Sequence, residues 1–343
     1  MPSISYYDRQ HVQRMLKQQG DINRIFGQFC MSVSLELRKW TDTGNNNVWV
    51  RNSSVEKAVE IELLRLQERL RKNVESNQAD SWEQSNKKND YFLAYIQSLV
   101  VNQIVEQGMF SRNMEALSTL QKRVTNGMNL SDRVWNIAGQ TKVQLEFYLQ
   151  SGLSAGRPSA LISQDVRQLL DNPDRRFHRI RNEKGILVPS EPMKKYHPGQ
   201  GQYRSSKQNA LRLAATETNI AYRMADHERW SKLDFILGIN VRRSPSAKEP
   251  CKICDPMVGK YPRNFIFTGW HPFCICFATA IVPSPEELAH FSLTKELPEH
   301  KIVRGLPSSA LRYIKDNLDS INKSQPYWLQ DNFGGDAANA LRL

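Results

Sequence analysis

The chain of 343 residues lacks both sequence features that direct a protein into or across a membrane. No stretch approaches the roughly 18 consecutive apolar residues that a membrane-spanning helix needs. The N-terminus does not have the basic stretch followed by an apolar one that marks a secretory signal. With 40% hydrophobic and 24% charged residues, the composition is that of an ordinary globular protein. These observations predict a chain that folds in the cytoplasm, with room for about two domains.

Cysteine is scarce, and its distribution is uneven. The chain has five cysteines, of which four fall within the 26 residues 251–276. Cytoplasmic thiols stay reduced, so structural disulfides are not expected and clustered cysteines favour a metal ion. The fifth, Cys30, lies in an apolar helical pattern and is predicted to be a small core residue.

The clustered cysteines have the spacing of zinc ligands. Cys251 and Cys254 form a CxxC pair. After sixteen intervening residues, His271 and Cys274 form an HxxC pair, followed by Cys276. A CxxC pair can bind one ion from a tight turn, and a hairpin would bring in the second pair to complete a tetrahedral shell. Four protein ligands leave no open position, which is typical of a structural zinc site. Cys274 and Cys276 share a strand face, so either is a candidate fourth ligand. The alternatives are buried cysteines without metal and an oxidised pair.

Two short enzyme-like motifs lack the context that their chemistry needs. Gly152–Gly156 matches the G-x-S-x-G nucleophile elbow of hydrolases, but a helix rather than a strand is predicted before it. Pro250–Cys254 matches half of the zinc deaminase signature, whose other half requires His-x-Glu. The nearest pair upstream, His227 and Glu228, is displaced by one position. We therefore predict no catalytic residues and no enzymatic activity.

The secondary structure is predicted to be mainly α-helical. Ser53 and Glu56 have the spacing of a helix capping box, and an apolar stripe follows at helical spacing. The polar stretch 74–90 is predicted to continue as an exposed helix or a connector. The stripe consists of Val59, Leu63, Leu66 and Leu70; further helices are predicted over 91–107, 113–124, 130–150, 159–170, 209–233 and 308–321, and a short strand over 235–241.

These elements predict three regions along the chain. Residues 1–125 are expected to form an elongated helical assembly region. Residues 126–285 are expected to form an α-helical domain with a small β-structured zinc module at 241–283. Residues 286–343 are expected to form a C-terminal tail with one helix and a mobile Gly-rich end.

A basic arm is predicted over residues 171–207. Between Arg175 and Arg212 there are ten Lys and Arg residues against two Glu, and Pro and Gly residues favour an extended arm or a hairpin around 182–185. Cationic side chains on such an arm suit the phosphates of DNA. A solvated loop or a surface for an acidic protein is the alternative. The candidate DNA contacts are Arg175, Arg176, Arg179, Arg181, Lys184, Lys194 and Lys195.

The helix predicted over 209–233 carries Arg212, Thr216 and Glu217 among small and apolar residues. Apart from His227 and Glu228, no second acid or histidine lies at helical spacing, so a catalytic role is not favoured. Buried polar groups usually satisfy each other. A Glu217 carboxylate bonded to Arg212 or to a loop amide would act as a structural latch.

Four motifs, in their order along the chain, resemble those of one protein family. They are Leu130–Trp135, the glycine turn Gly152–Gly156, the Arg-x-x-x-Thr-Glu-Thr helix at 212–218, and the metal segment from the CxxC pair and Gly259-Lys-Tyr-Pro to His271-Pro-Phe-Cys-Ile-Cys. Together they resemble the phage Mu F-like head morphogenesis family, the minor head proteins, over about residues 125–285. The order of the four motifs is more specific than any one of them. Ile275 departs from the family pattern, because a basic residue is usual there, and this puts a local phosphate contact in doubt.

The resemblance implies a function in the head of a phage or prophage. A family member is a virion component, present in few copies, that binds portal protein and capsid or scaffold proteins while heads assemble in the host cytoplasm. Contact with packaged DNA, or a role in its delivery, is a further expectation. The Cys/His cluster would hold a structural Zn²⁺, and no small-molecule substrate is expected. The alternative is a metal-dependent nuclease or other nucleic-acid enzyme that uses the cluster or His227 and Glu228.

Overall fold

The computed structural model describes residues 6–38, 53–125, 127–154, 166, 170, 179–189, 204–244 and 249–342. These residues are mainly helical, with a small three-stranded antiparallel sheet and a Cys/His cluster. The predicted mainly α fold class is therefore confirmed. None of the described helices has both the length and the apolar character needed to cross a membrane.

The elements are numbered here in chain order. The helices are α1 (Tyr6–Arg38), α2 (Ser53–Ser98), α3 (Met114–Gln121), α4 (Leu130–Ser154), α5 (Ser206–Trp230), α6 (Cys254–Met257), α7 (Pro285–Thr294), α8 (Ser308–Asp316), α9 (Leu318–Ser324), α10 (Tyr327–Phe333) and α11 (Ala337–Ala340), with 3₁₀ turns at Gln107–Phe110 and Glu299–Lys301. The strands are β1 (Arg179–Arg181), β2 (Leu187–Pro189), β3 (Gly238–Arg242), β4 (Gly259–Tyr261) and β5 (Phe277–Ile281). Helices α3, α4 and α5 and strand β3 lie where the sequence predicts them. The helix predicted over 159–170 lies largely outside the described residues.

The chain forms two compact units, each built from separated stretches. The first unit comprises Met1–Met15, Ser76–Gln121 and Ala215–Leu343, and the second comprises Leu16–Glu75 and Lys122–Ala214. Helices α1, α2 and α5 each contribute residues to both units. The sequence predicted regions in linear order, with boundaries near 125 and 285; those boundaries stay a prediction.

The core of the second unit is formed by α1, α2, α4 and the start of α5. The apolar stripe predicted on α2 faces this core: Leu63, Leu66 and Leu70 are buried, and Val59 packs against them. Each such side chain contributes about 1.5–3 kcal/mol when it is fully buried. Cys30 is buried in the same core, as predicted.

Helix α2 continues without a break through the polar stretch 74–90 and ends at Ser98, earlier than the predicted end at 107. The prediction that this stretch is exposed is wrong, because many of its polar side chains are buried in the first unit. Ser85 and Asn89 donate hydrogen bonds of 2.7 and 2.8 Å to the Asp226 carboxylate on α5. The buried polar residues of the stretch are Gln78, Ser81, Gln84, Ser85, Asn86 and Asn89.

Two small antiparallel sheets carry the functional candidates. Strands β1 and β2 form the hairpin predicted around residues 182–185, with Gly185 at φ 73° in the turn. Strand β3 is the centre of the second sheet, in the order β4-β3-β5. Its register pairs Asn240 with Lys260 on one side and with Thr279 on the other. The second sheet spans the predicted zinc module, so the chain enters the module on β3 and leaves it on β5.

The tail was predicted to hold one helix, which is wrong, and to have a mobile end, which stays a prediction. Helices α7–α11 lie between Pro285 and Ala340. Trp328 and Phe333 are buried in the core of the first unit, where the Trp328 ring lies 6.0 Å from that of Trp270 in the metal module. Gly334, at φ 62°, ends α10 with the left-handed backbone that glycine adopts without strain. The glycines therefore form a helix-terminating turn, and the metal module shares its core with the tail.

Candidate metal centre

The CxxC pair lies in a tight turn that leads into α6. The Cys254 backbone N–H donates to the Cys251 sulfur at 3.4 Å, and the Cys251 N–H donates to the Asp255 carboxylate at 2.9 Å. Arg243 in turn forms an ion pair with Asp255. These contacts place both thiols on the inside of one turn, in the arrangement by which a CxxC pair binds a metal ion.

The second pair of ligands lies in a turn closed by a hydrogen bond of 3.1 Å from the Cys274 N–H to the His271 carbonyl. Phe273, between them, has φ 62°, an uncommon left-handed conformation for a non-glycine residue. His271 Nδ1 lies 2.7 Å from the carbonyl of Pro272. This carbonyl can only accept, so Nδ1 carries the proton and Nε2 presents its lone pair to the sulfurs.

Three of the separations between candidate ligand atoms lie close to those in a tetrahedral zinc shell. His271 Nε2 lies 3.4 Å from the Cys251 sulfur and 3.1 Å from the Cys254 sulfur. The sulfurs of Cys254 and Cys274 are 3.9 Å apart. An ion with bonds of about 2.3 Å to sulfur and about 2.0 Å to nitrogen separates two sulfurs by about 3.8 Å and a sulfur from a nitrogen by about 3.5 Å. These three separations therefore suit a metal ion bound by the cluster.

The cluster consists of two groups that share Cys254. One group is Cys251, Cys254 and His271, and the other is Cys254, Cys274 and Cys276; within each group all ligand atoms lie within 4.8 Å of one another. All five residues named by the sequence are thus brought together, and the cluster can hold a metal ion. The separation of 3.9 Å between Cys254 and Cys274 fits a tetrahedral edge. The choice between Cys274 and Cys276 as fourth ligand stays open.

The thiols differ in how readily they lose a proton. Burial raises the pKa of Cys251, but backbone N–H groups of Cys254 and Ile253 outweigh it and lower this pKa. Hydrogen bonds from Cys254 and Cys276, with the positive charge of Arg223, hold the pKa of Cys274 well below its ordinary value despite burial. The Cys254 thiol acts to lower the pKa of Cys276, but Cys274 and burial raise it to about 12. Cys274 is thus the buried thiol best prepared to bind a metal as thiolate.

A buried arginine that belongs to none of the sequence motifs holds the backbone of residues 268–276, which we call the ligand loop. Arg223 on α5 donates to the carbonyls of Thr268, Cys274 and Cys276 at 2.8, 2.6 and 2.7 Å. Gly269 makes this approach possible, since a Cβ atom there would collide with the guanidinium. A signal was present in the sequence: Arg223 lies between the apolar pairs Ala221-Tyr222 and Met224-Ala225 of α5.

A buried network of ion pairs and hydrogen bonds lies beside the ligand loop. Lys88 on α2 contacts the carboxylate of Asp226 at 2.5 Å and that of Asp8 at 3.3 Å. The Tyr222 hydroxyl donates to Asp8 at 2.8 Å. Burial lowers the pKa of Lys88, but the two carboxylates outweigh it and raise this pKa, so the lysine stays charged. The network ties the start of α1 to α2 and α5 within the first unit.

His11 on α1 is buried in its neutral form. Its ring stacks on Tyr222 at a centroid distance of 4.0 Å, and its Nε2 lies 2.9 Å from Asn219 Oδ1. Burial lowers the pKa of His11 to about 3; Asn219 and Asp8 act against this shift, and Arg223 and Lys88 reinforce it.

We expect the depressed pKa of His11 to make folding sensitive to mild acid. An unfolded histidine has a pKa of about 6.5, so the stabilisation is complete above that pH and is lost as the pH falls towards 3. Between pH 7 and pH 5 the free energy of unfolding should fall by about 2 kcal/mol more in the wild type than in His11→Gln. Urea titrations of both proteins at the two pH values measure this difference. Equal losses would contradict it.

Of the candidate DNA contacts, four (Arg175, Arg176, Lys194 and Lys195) lie outside the described residues. Arg179 and Arg181 belong to β1, and Lys184 lies in the hairpin turn. The side chains of Arg181 and Lys184 are exposed, and Arg181 also donates to the Gly185 carbonyl at 2.7 Å. The hairpin therefore presents cationic side chains to solvent.

The latch residues lie on α5, as predicted. The Glu217 carboxylate is buried and accepts from Gln78 at 3.3 Å and from the Tyr327 hydroxyl at 3.4 Å. Arg212 donates to Asn209 at 2.9 Å. Thr216 is buried, and its hydroxyl has no hydrogen-bond partner among the described residues. Glu217 is thus held by side chains of α2 and α10, and its bond to Arg212 or to a loop amide stays a prediction.

The cavity beside His227 is too small for a substrate. It has a volume of about 10 Å³, enough for one water molecule. Burial lowers the pKa of His227, and the ring lies among apolar side chains such as Trp230 and Phe265.

Comparison of this chain with protein-family models, with curated proteins and with solved structures finds no match.

Proposed function

We propose that this protein is a minor head protein of a phage or prophage, with a structural zinc centre and no enzymatic activity. It binds portal protein and capsid or scaffold proteins during head assembly in the host cytoplasm and is a component of the virion. Its basic hairpin contacts packaged DNA or aids delivery of that DNA. The proposal rests on the four ordered motifs over residues 125–285 and on the cluster into which the last of them folds.

The observation that carries the proposal is the convergence of the HPxCxC motif with the CxxC pair. Separations of 3.1 Å from Cys254 to His271 and 3.9 Å from Cys254 to Cys274 suit zinc. With Cys251, these residues would fill all four positions of a tetrahedral ion. A closed shell supports a structural role, because a catalytic zinc keeps one position for water or substrate.

Bound zinc would join two parts of the chain: the CxxC turn and the segment 271–276, which leads into β5. All of its protein ligands would come from this chain. Cys251, Cys254 and His271 are three of the ligands, and Cys274 or Cys276 is the fourth. The ion would supply cross-linking rather than chemistry, and its binding would release the protons of the thiols.

The nuclease alternative is supported less well. The proposed zinc shell would leave no open coordination position, and His227 lies beside a cavity that admits one water. Among the described residues, the Cys/His groups around Cys254 are the clusters with metal-ligand geometry. Phosphodiester hydrolysis by metal ions requires an open coordination position and room for a phosphate.

The assembly role is tested by co-expressing the full chain with the portal protein of the same genome. We expect the two to elute together as a portal ring carrying one zinc per copy of this chain, measured by mass spectrometry and metal analysis. Elution apart from the ring would contradict the assembly role. Magnesium-dependent cleavage of plasmid DNA would favour the nuclease.

The DNA contact is tested separately. Neutralising Arg181 and Lys184 to glutamine should lower duplex DNA affinity and reduce the slope of log K against log salt by about 1.8, since each phosphate contact contributes about 0.9. The matched control neutralises Arg312 and Lys315, which are exposed on α8. Equal losses in the two variants would indicate an effect of net charge alone and contradict a contact at the hairpin.

A further inference from the structure

The first turns of α1, residues 6–15, are held in the first unit mainly by polar contacts. His11 and Met15 are the buried side chains of this segment, while Tyr6 and Val12 are exposed by 61% and 44%. Burial of so little apolar surface stabilises a helical segment only weakly. The position of the segment therefore depends on the hydrogen bonds and ion pairs that it makes.

One chain of hydrogen bonds runs from this segment to a candidate metal ligand. Asn219 Nδ2 donates to the Cys274 carbonyl at 3.4 Å, and Asn219 Oδ1 lies 2.9 Å from His11 Nε2. Because the carbonyl can only accept, the Asn219 amide has one orientation, and His11 Nε2 must be the donor. These hydrogen bonds thus join α1 to the backbone of Cys274, and the donor and acceptor at each step are fixed.

A cavity lies where the start of α1 and helix α5 face the ligand loop, so close packing does not hold these elements together there. A cavity of about 60 Å³ is lined by His11, Asn219 and Arg223 on one side and by Ile275 and Cys276 on the other. A void of this size removes contacts that close packing would supply. The Asn219 bridge therefore lies at the wall of this cavity, where close packing does not hold α1 against the ligand loop.

We propose that His11 and Asn219 are positioning residues of the metal centre, and that metal binding and docking of the first turns of α1 stabilise each other. The proposal rests on the metal centre of the proposed function. The metal would hold the sulfur of Cys274 or of Cys276, and the Asn219–His11 bridge, beside Arg223, holds the Cys274 carbonyl. By linkage, whatever the metal contributes to docking, docking contributes equally to metal affinity. Removal of such supporting contacts typically weakens metal binding by about 10–100-fold.

Hydrogen exchange of the full chain, with one zinc bound and after removal of zinc by a chelator, tests the first half of the proposal. We expect amides in residues 6–15 to exchange about tenfold faster without zinc. Amides of α4, in the second unit, should be unchanged. Zinc that binds without altering exchange in residues 6–15 would overturn the coupling and leave the metal centre standing. A chain that binds no zinc would overturn the metal centre as well.

Zinc affinity, measured by competition with a chromophoric chelator, tests the second half. His11→Ala should raise the zinc Kd about tenfold, and His11→Gln, which keeps an N–H for Asn219, should stay within about threefold of the wild type. Gln13→Ala, exposed on the same helix, is the control and should have no effect. Wild-type affinity in His11→Ala would overturn the positioning role. If that variant does not fold, the exchange experiment on the wild type decides.

Discussion

Replacement of Cys254 by serine is expected to empty the metal centre. Cys254 belongs to both groups of the cluster, so no ligand set that omits it retains the observed geometry. We expect the zinc content to fall from about one equivalent to near zero after dialysis against a weak chelator. The free energy of unfolding should fall by at least about 3 kcal/mol, because metal binding is coupled to folding. The shared aromatic core with the tail limits the loss, so most of the helical signal in circular dichroism should remain.

Controls for this experiment use the other cysteines. Cys30→Ala, in the core of the second unit, removes a thiol without touching the cluster and should keep one zinc. Cys274→Ser and Cys276→Ser separate the two candidates for the fourth ligand, since the true ligand should lose zinc and its rival should retain it. Full zinc retention in Cys254→Ser would contradict the site.

Replacement of Lys88 by methionine is expected to destabilise the first unit by about 3–5 kcal/mol. This is the usual cost of removing one partner of a buried ion pair. The lysine side chain is 12% exposed and lies between Asp226 and Asp8. Without its charge, two carboxylates share one buried site and repel each other. Urea unfolding at pH 7, followed by tryptophan fluorescence, measures the loss.

A second substitution distinguishes loss of charge balance from loss of packing. Lys88→Met combined with Asp226→Asn removes one of the two stranded carboxylates and should recover at least about 1 kcal/mol. Lys87→Met, at the neighbouring exposed position, should change stability by less than about 0.5 kcal/mol. A double variant no more stable than Lys88→Met would show that the charge is not the cause.

The metal ligands were predictable because their geometry is local. A CxxC turn and an HxxC turn each fix two ligands within four residues, so the spacing alone encodes each half of the cluster. The sequence also predicted the strand that leads into the module and the hairpin at 182–185. It did not predict how the tail covers the module, because α9–α11 are short and their apolar residues do not form a long periodic stripe.

The buried polar residues were not predictable in the same way. Polar side chains on a helix usually face solvent, and the partners of those on α2 lie far along the chain. Ser85 and Asp226 are 141 residues apart, and His11 and Asn219 are 208 apart. The one available signal was on α5, where charged residues recur at helical spacing among Ala, Ile, Tyr and Trp. Such a pattern indicates buried charges but does not identify their partners.

The residue spacing on helix α5 sets the positions of three groups of contacts in the first unit. Arg223, Asp226 and Arg229 follow each other at intervals of three residues and share one face. They serve separate neighbours: the ligand loop, Lys88, and Asp90, which Arg229 contacts at 2.9 Å. Insertion or deletion of one residue before Arg223 would turn every later side chain by about 100° and break all three sets of contacts together. Variation in the length of this helix is therefore far less tolerable than variation in the exposed turn of the β1–β2 hairpin.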